Sequence, residues 1–349
     1  MELKAAVQAM FAPARHPGRV GAEIELIPVT DGARPRPVDP AVLAAAFDPS
    51  FVREAVPTFE PGGQLELSPA PRPTVGALVH DVRRLVARAE AIAARNGIRL
   101  VAAGTNPYHC CHEVPLRVAS PRYLAMQRLF DATGPDGRRM MRLTASLQVT
   151  VDLRAGQAGR EQWLVANLAG PPLAAAFANS PTLDGRPAGI RGARTRIWQG
   201  VDLTRTGYDG RHLDPVDPVG AYGAFASAAA RLPIRETADP ACHLSTLFPP
   251  VRPRGGYLEV RYLDAQPIER AGVAIATIAA LLHDPRARRD ALDLLLPRIG
   301  DQARAWDEAA AGHSPESADL LSIAHAAEPA LGGAAATLTE AASLTGAAS

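Results

Sequence analysis

The sequence predicts an α+β fold, because apolar residues recur at helical spacing in seven segments while four other segments alternate polar and apolar side chains as an antiparallel sheet with one polar face does. A third observation bears on organisation. The chain has 349 residues, 47% of them hydrophobic and 21% charged, enough to bury a large core, and its Pro- and Gly-rich connections come without any shift in composition. We therefore expect one domain over residues 1–331, with 332–349, a run of Ala, Gly, Ser and Thr, as a frayed helix or disordered tail.

Taken in order, residues 1–15 hold no apolar core of signal-peptide length, and Lys4 lies in what reads as a mobile N-terminus. Residues 21–28 form the first strand. Side chains two apart share a face, so Glu23 and Glu25 point one way and Ala22, Ile24 and Leu26 the other. In 59–68, Gln64, Glu66 and Ser68 share a face opposite Leu65 and Leu67, and Glu60 precedes a Pro-Gly-Gly turn. After the Pro69–Pro73 connection, Val75, Leu78, Val82, Leu85, Val86, Ala89 and Ile92 trace an amphipathic helix over 75–95 that stops at Asn96-Gly97. Its arginines form a solvated face.

Further helices are expected at 122–130, 162–179, 218–230, 268–282, 287–295 and 300–311. Residues 142–153 alternate throughout, with Thr144, Ser146, Gln148, Thr150 and Asp152 against Leu143, Ala145, Leu147, Val149 and Val151, and so make a long antiparallel strand. Residues 249–256 read as a connection. In 257–263, Glu259 and Arg261 share a face opposite Leu258 and Val260.

Composition excludes several chemistries. Lys plus Arg is 37 and Asp plus Glu 36, and Lys4 is the only lysine. A Walker A loop, a kinase-type strand lysine and a Schiff-base amine are all excluded, and near-zero net charge gives no footprint for nucleic acid. The longest apolar run, 271–282, is too short to span a bilayer. Three cysteines, Cys110, Cys111 and Cys242, two of them adjacent, do not make a disulfide framework, so a cytoplasmic, reducing location is expected. The cluster of His109, Cys110, Cys111 and His112 lacks zinc-ligand spacing; His109 is left as a residue for the site's mouth and His243 as a packing histidine.

Adjacent glutamates on a strand repel each other, and a hard divalent cation with oxygen ligands relieves that repulsion. Four or five acids on one sheet face, with Arg261 beside them and no lysine, suit a metal-dependent phosphoryl-transfer site.

The strings Phe59–Ser68, Arg139–Leu153, Ala178–Pro181, Leu244–Pro250 and Tyr257–Asp264 resemble those of the plant- and actinobacterial-type glutamate-cysteine ligases, in the family's order and across most of the chain. The likeness is strongest to the ergothioneine-pathway branch. It implies a glutamine synthetase-like fold, a curved antiparallel sheet forming a funnel with helices outside. It also implies that glutamate is joined to cysteine through γ-glutamyl phosphate, with ATP as co-substrate and Mg2+, or Mn2+ in its place, as cofactor. By position, Glu23, Glu25, Glu60, Glu66 and Glu259 match the family's metal-binding acids, with Gln148 at a further ligand position. Arg261, with Glu25 the catalytic pair, matches the phosphate-stabilising arginine, and Gln64 stands with it at the nucleotide.

The segment 194–198 resembles the substrate-gripping stretch. Arg194 and Arg196 alternate to one face, either able to hold the glutamate α-carboxylate bidentately, and Trp198 shares that parity. Met141 and Thr144 complete the implied substrate contacts. Two other functions fit the same polar sheet face: a ligase of this fold that uses a different amine in a specialised pathway, and a non-catalytic sensor of nucleotide or amino acid.

Overall fold

The computed structural model describes residues 2–327, so the expectation for 332–349 lies outside the described residues. Its strands in chain order are β1 (Val20–Thr30), β2 (Thr58–Phe59), β3 (Leu65–Leu67), β4 (Ile98–Val101), β5 (Ser146–Asp152), β6 (Thr182–Leu183), β7 (Arg186–Pro187), β8 (Val251–Pro253) and β9 (Tyr257–Asp264). Seven of them form one sheet in the order β2-β3-β1-β5-β9-β8, with β4 paired to the far end of β1, and every pairing is antiparallel. β6 and β7 make a separate two-stranded ribbon.

The α+β expectation holds, and the alternation explains why. Ile24, Leu26, Leu65, Leu67, Leu147, Val149, Val151, Leu258 and Val260 are all buried on one sheet face. The Val75–Arg95 and Ile268–His283 helices pack there. Removing one such side chain from water contributes about 1.5–3 kcal/mol, so the apolar face alone fixes the strand register. The polar face is left toward the remaining helices.

Val75–Arg95 matches its expected span. Thr74 caps it by accepting from the Ala77 amide at 3.3 Å, and Gly97 ends it at φ +66°. Residues 162–179 divide instead into Gly156–Leu168 and Gly170–Ala176. Pro171 and Pro172 bring no amide hydrogen, and Gly170 lies so close to Trp306 that a side chain there would collide.

Three other segments differ from expectation. The alternation of 142–153 begins inside a helix, Asp136–Leu143, and β5 starts only at Ser146. Residues 251–253, read as connection, are β8, which turns through Gly255 (φ +65°) and Gly256 (φ +103°) into β9. Lys4 lies exposed on a helix, Leu3–Met10, not in an unstructured start. Among the described residues no helix is long and apolar enough to cross a membrane.

Candidate functional site

The polar sheet face floors a cavity of about 240 Å3. Register brings its acids together: Glu25 on β1 pairs with Glu66 on β3, and Glu23 pairs with Gln148 on β5. Glu60 arrives from the turn between β2 and β3. That turn needs glycine twice, since a side chain at Gly62 would run into the Arg142 backbone and Gly63 has φ +93°.

Glu25, Glu60 and Glu66 each present an oxygen within 4.8 Å of the others. Glu25 is buried and held at both oxygens, accepting from the Ser146 amide at 2.7 Å and from Gln148 Nε2 at 3.0 Å. Glu66 accepts from the Thr58 hydroxyl at 2.8 Å. Burial, then repulsion from Glu25 and Glu66, pushes Glu60 up to about 8, and burial followed by Glu66 pushes Glu23 up to about 7. Glu66 is raised too, by burial and Glu25. Three oxygen donors at ligand spacing, with the charged forms of Glu60 and Glu66 disfavoured by burial and mutual repulsion, fit a hard divalent cation.

The other end of the same face carries the opposite charge. Glu259, 4% exposed, is met by Arg252 at 3.6 Å, by Arg254 at 3.3 Å and by Arg261 in direct contact. Three guanidinium groups thus face one carboxylate. Burial, then neighbouring Arg252, lowers Arg261 to about 9, and burial lowers Arg252 to about 10. Between the two ends stands Gln148, whose Oε1 accepts from Arg261 Nη1 at 2.7 Å while its Nε2 donates to Glu25.

Several expected roles change with this geometry. The five acids divide: Glu25, Glu60 and Glu66 cluster, Glu23 flanks them, and Glu259 sits among arginines instead of with the other acids. Gln148 has both ends of its amide engaged. Gln64 lines the cavity, but its Nε2 donates to Thr144 O at 2.7 Å and its Oε1 accepts from Gly62 N at 3.0 Å, so it clips the Glu60 turn to the start of β5 and is not free for a nucleotide.

Residues 194–198 are helical, within Ala193–Val201, so positions two apart do not share a face. Arg196 points away and bonds the exposed Asp307 at 2.9 Å. Arg194 and Trp198 do line the cavity, with Arg194 over the indole at 5.9 Å. Both Arg194 Nη atoms donate to backbone carbonyls, Nη1 to Tyr262 O at 3.0 Å and Nη2 to Arg261 O at 2.9 Å, so the guanidinium is already engaged by the sheet backbone. Met141 and Thr144 are in the wall.

Sequence reasoning missed Arg252 and Arg254, because the strand holding Arg252 and the turn after it were read as one connection; Val-Arg-Pro-Arg running into Gly-Gly is a hairpin signal that would have found them. It also missed the roof, made by Arg122, Tyr123 and Met126 of the Pro121–Asp131 helix with Ser245 and Phe248. Arg122 ties these two segments together, donating to Ser245 O at 2.6 Å. His243 is buried and bonds Ala226 O at 2.8 Å, as a packing histidine does. His109 bonds Asn106 and Pro35 O away from the cavity. All three cysteines are free, and no zinc-type cluster occurs among the described residues.

Against known proteins, residues 19–326 match glutamate-cysteine ligase family 2. The chain is 34% identical over 331 residues to glutamate-cysteine ligase EgtA of Mycolicibacterium smegmatis, covering 84% of this chain and 75% of that one. It is 33% identical to glutamate-cysteine ligase EgtA of Mycobacterium tuberculosis, covering 73% and 65%, and 31% identical to the chloroplastic glutamate-cysteine ligase of Arabidopsis thaliana, covering 68% and 51%. It therefore spans between half and three quarters of the length of these relatives.

Proposed function

Because this chain belongs to glutamate-cysteine ligase family 2, we propose that it joins the γ-carboxylate of glutamate to the amine of cysteine at the expense of ATP, within a single catalytic domain over residues 1–331. The observation that carries the reading is the pairing, on one sheet face, of three ligand-spaced carboxylates with a group of arginines. A γ-carboxylate oxygen bonds to the γ-phosphorus as the bond to the ADP oxygen breaks. The cysteine nitrogen then bonds to the acyl carbon, phosphate leaves, and the amine proton passes to solvent. The product is γ-glutamylcysteine, and the likeness to EgtA enzymes fits supply to ergothioneine or another small thiol in the cytoplasm.

Glu25, Glu60 and Glu66 would hold Mg2+, with Glu23 beside them, and the cation would neutralise phosphate oxygens. The chain's own residues do the rest. Ser146 N and Gln148 fix the Glu25 carboxylate in one orientation. Arg261, permanently charged and with a planar donor fork, faces charge that develops on the transferred group, and Arg252 and Arg254 add positive potential that Glu259 does not cancel. Met126, Met140, Met141 and Phe248 give the cavity an apolar side against which the acyl group could rest.

Protein incubated with Mg-ATP, glutamate and a panel of amines, read by phosphate release and product mass, tests this. Cysteine-dependent phosphate release with a γ-glutamylcysteine mass is expected. A product with another amine but not cysteine would move the reading to a different acceptor, and no release with any amine would leave only a binding function.

A further inference from the structure

Gln148 on β5 stands opposite two residues of β9. The pairing runs Leu147 to Leu263 on one side and Val149 to Val260 on the other, leaving Arg261 and Tyr262 together across from Gln148. A bulge of this kind bends the strand, re-aims a side chain and takes backbone groups out of the ladder. The two carbonyls of this bulge, Arg261 O and Tyr262 O, are the ones that Arg194 holds, at 2.9 and 3.0 Å.

Arg194 is 3% exposed and its nearest carboxylate, Asp264, is 3.7 Å away. Its backbone is pinned as well: Ser180 Oγ accepts from Arg194 N at 3.0 Å and donates to Asp264 at 2.8 Å, and Asp264 also accepts from Asn179 N at 2.8 Å. A rigid fork is thus brought by the Ala193–Val201 helix to the one irregular point of β9.

Resting on the reading above that Arg261 faces the transferred phosphoryl group, we infer that Arg194 is a positioning residue: its guanidinium clamps the β9 bulge and so sets the direction of Arg261. A lysine cannot do this, since one ammonium has no planar fork to span two adjacent carbonyls.

The test is a double-mutant cycle of Arg194→Lys with Arg261→Ala, read by kcat and KM for glutamate, with amide hydrogen exchange over 257–264 measured on the same proteins. Arg194→Lys is expected to lower kcat about 100-fold, the cost of a misplacement near 1 Å. KM for glutamate should stay within about twofold, because uniform binding is untouched. In the Arg261→Ala background Arg194→Lys should cost nothing more, and exchange should quicken at the Arg261 amide, which bonds Pro250 O at 2.9 Å. A raised KM for glutamate with kcat kept, or a full further loss in the Arg261→Ala background, would return Arg194 to substrate binding. Unchanged exchange over 257–264 overturns the clamp even in a chain with no turnover, which separates its failure from failure of the ligase reading. If Arg194→Lys does not fold, Ser180→Ala loosens Arg194 N and Asp264 from outside the cavity. It should give the same pattern at a smaller loss, and no change in either readout overturns the inference.

Discussion

On β1, β3 and the turn before β3, three carboxylates face one another and form no ion pair among the described residues, whereas on the β8–β9 hairpin three guanidinium groups close on the single carboxylate of Glu259. Both ends are at least partly buried, with Glu25 and Glu259 the most enclosed of the acids, and they carry groups of opposite charge. At the acid end burial and neighbouring carboxylates push Glu60 up to about 8 and Glu23 up to about 7, while the arginines cannot give their protons up at neutral pH even when lowered to about 9 or 10. On the proposed reading, the acid end is adjustable and would be completed by a cation, while the arginine end is a permanent field that would meet an anion. An ATP-dependent ligase needs that asymmetry, because its phosphates bring negative charge to both.

The comparison breaks most severely at Arg261. Arg261→Ala should lower kcat about 1,000-fold, the low end for an arginine on a transferring phosphoryl group, with KM for glutamate little changed and Tm nearly kept. Steady-state phosphate release checks it. Unfolding instead would make Arg261 a sheet-face ion pair only.

Gln148 joins the two ends, so its loss should be felt at both. Gln148→Leu removes the donor to Glu25 and the acceptor for Arg261. Losing such a partner behind a ligand typically costs 10–100-fold in metal affinity. We expect about tenfold weaker Mn2+ binding, titrated on the protein without ATP, together with a fall in kcat. A fall in one alone would mean that the ends act separately.

The acid end should also report itself through pH. Glu60 and Glu23 have folded values above the ordinary carboxylate range, so protons bind the folded state more tightly. That contribution is fully present below the ordinary range and is lost as pH rises through 7 to 8. Without cation, Tm should fall by ~2–4 °C for each kcal/mol lost between pH 6 and pH 8.5. Adding Mg2+ should restore more at pH 8.5 than at pH 6, since ligands must release protons to bind it. Glu60→Gln should flatten the fall. Equal cation effects at both pH values would place the cation elsewhere.

Much of this was legible in sequence because strands obey a period of two whatever surrounds them. Glu23, Glu25, Glu66, Gln148, Glu259 and Arg261 all fell on the cavity side by parity alone. What parity could not give is pairing across strands. Nothing in Glu259-Val-Arg261 says that Arg252 lies opposite, and a strand as short as Val251–Pro253, with proline in it, carries too few residues to show alternation. Backbone demand was invisible for the same reason: Gln64 and Arg194 look like free polar groups until the carbonyls of Thr144, Arg261 and Tyr262 are placed beside them.

The smallest expected effect is at Arg196, where parity misled. In an extended chain Arg196 would share the cavity with Arg194. In the Ala193–Val201 helix, two positions turn a side chain about 200°. Its guanidinium bonds Asp307, and both side chains are more than half exposed, at 51% and 58%. An exposed pair of this kind contributes about 0–1 kcal/mol. Arg196→Ala should therefore leave kcat and KM for glutamate within about twofold, because no ground-state or transition-state contact is removed. A large rise in KM for glutamate would put the 193–201 segment in an extended form when substrate binds. Arg194 would then be free of the bulge, and the contrast between a fixed arginine end and an adjustable acid end would fail with it.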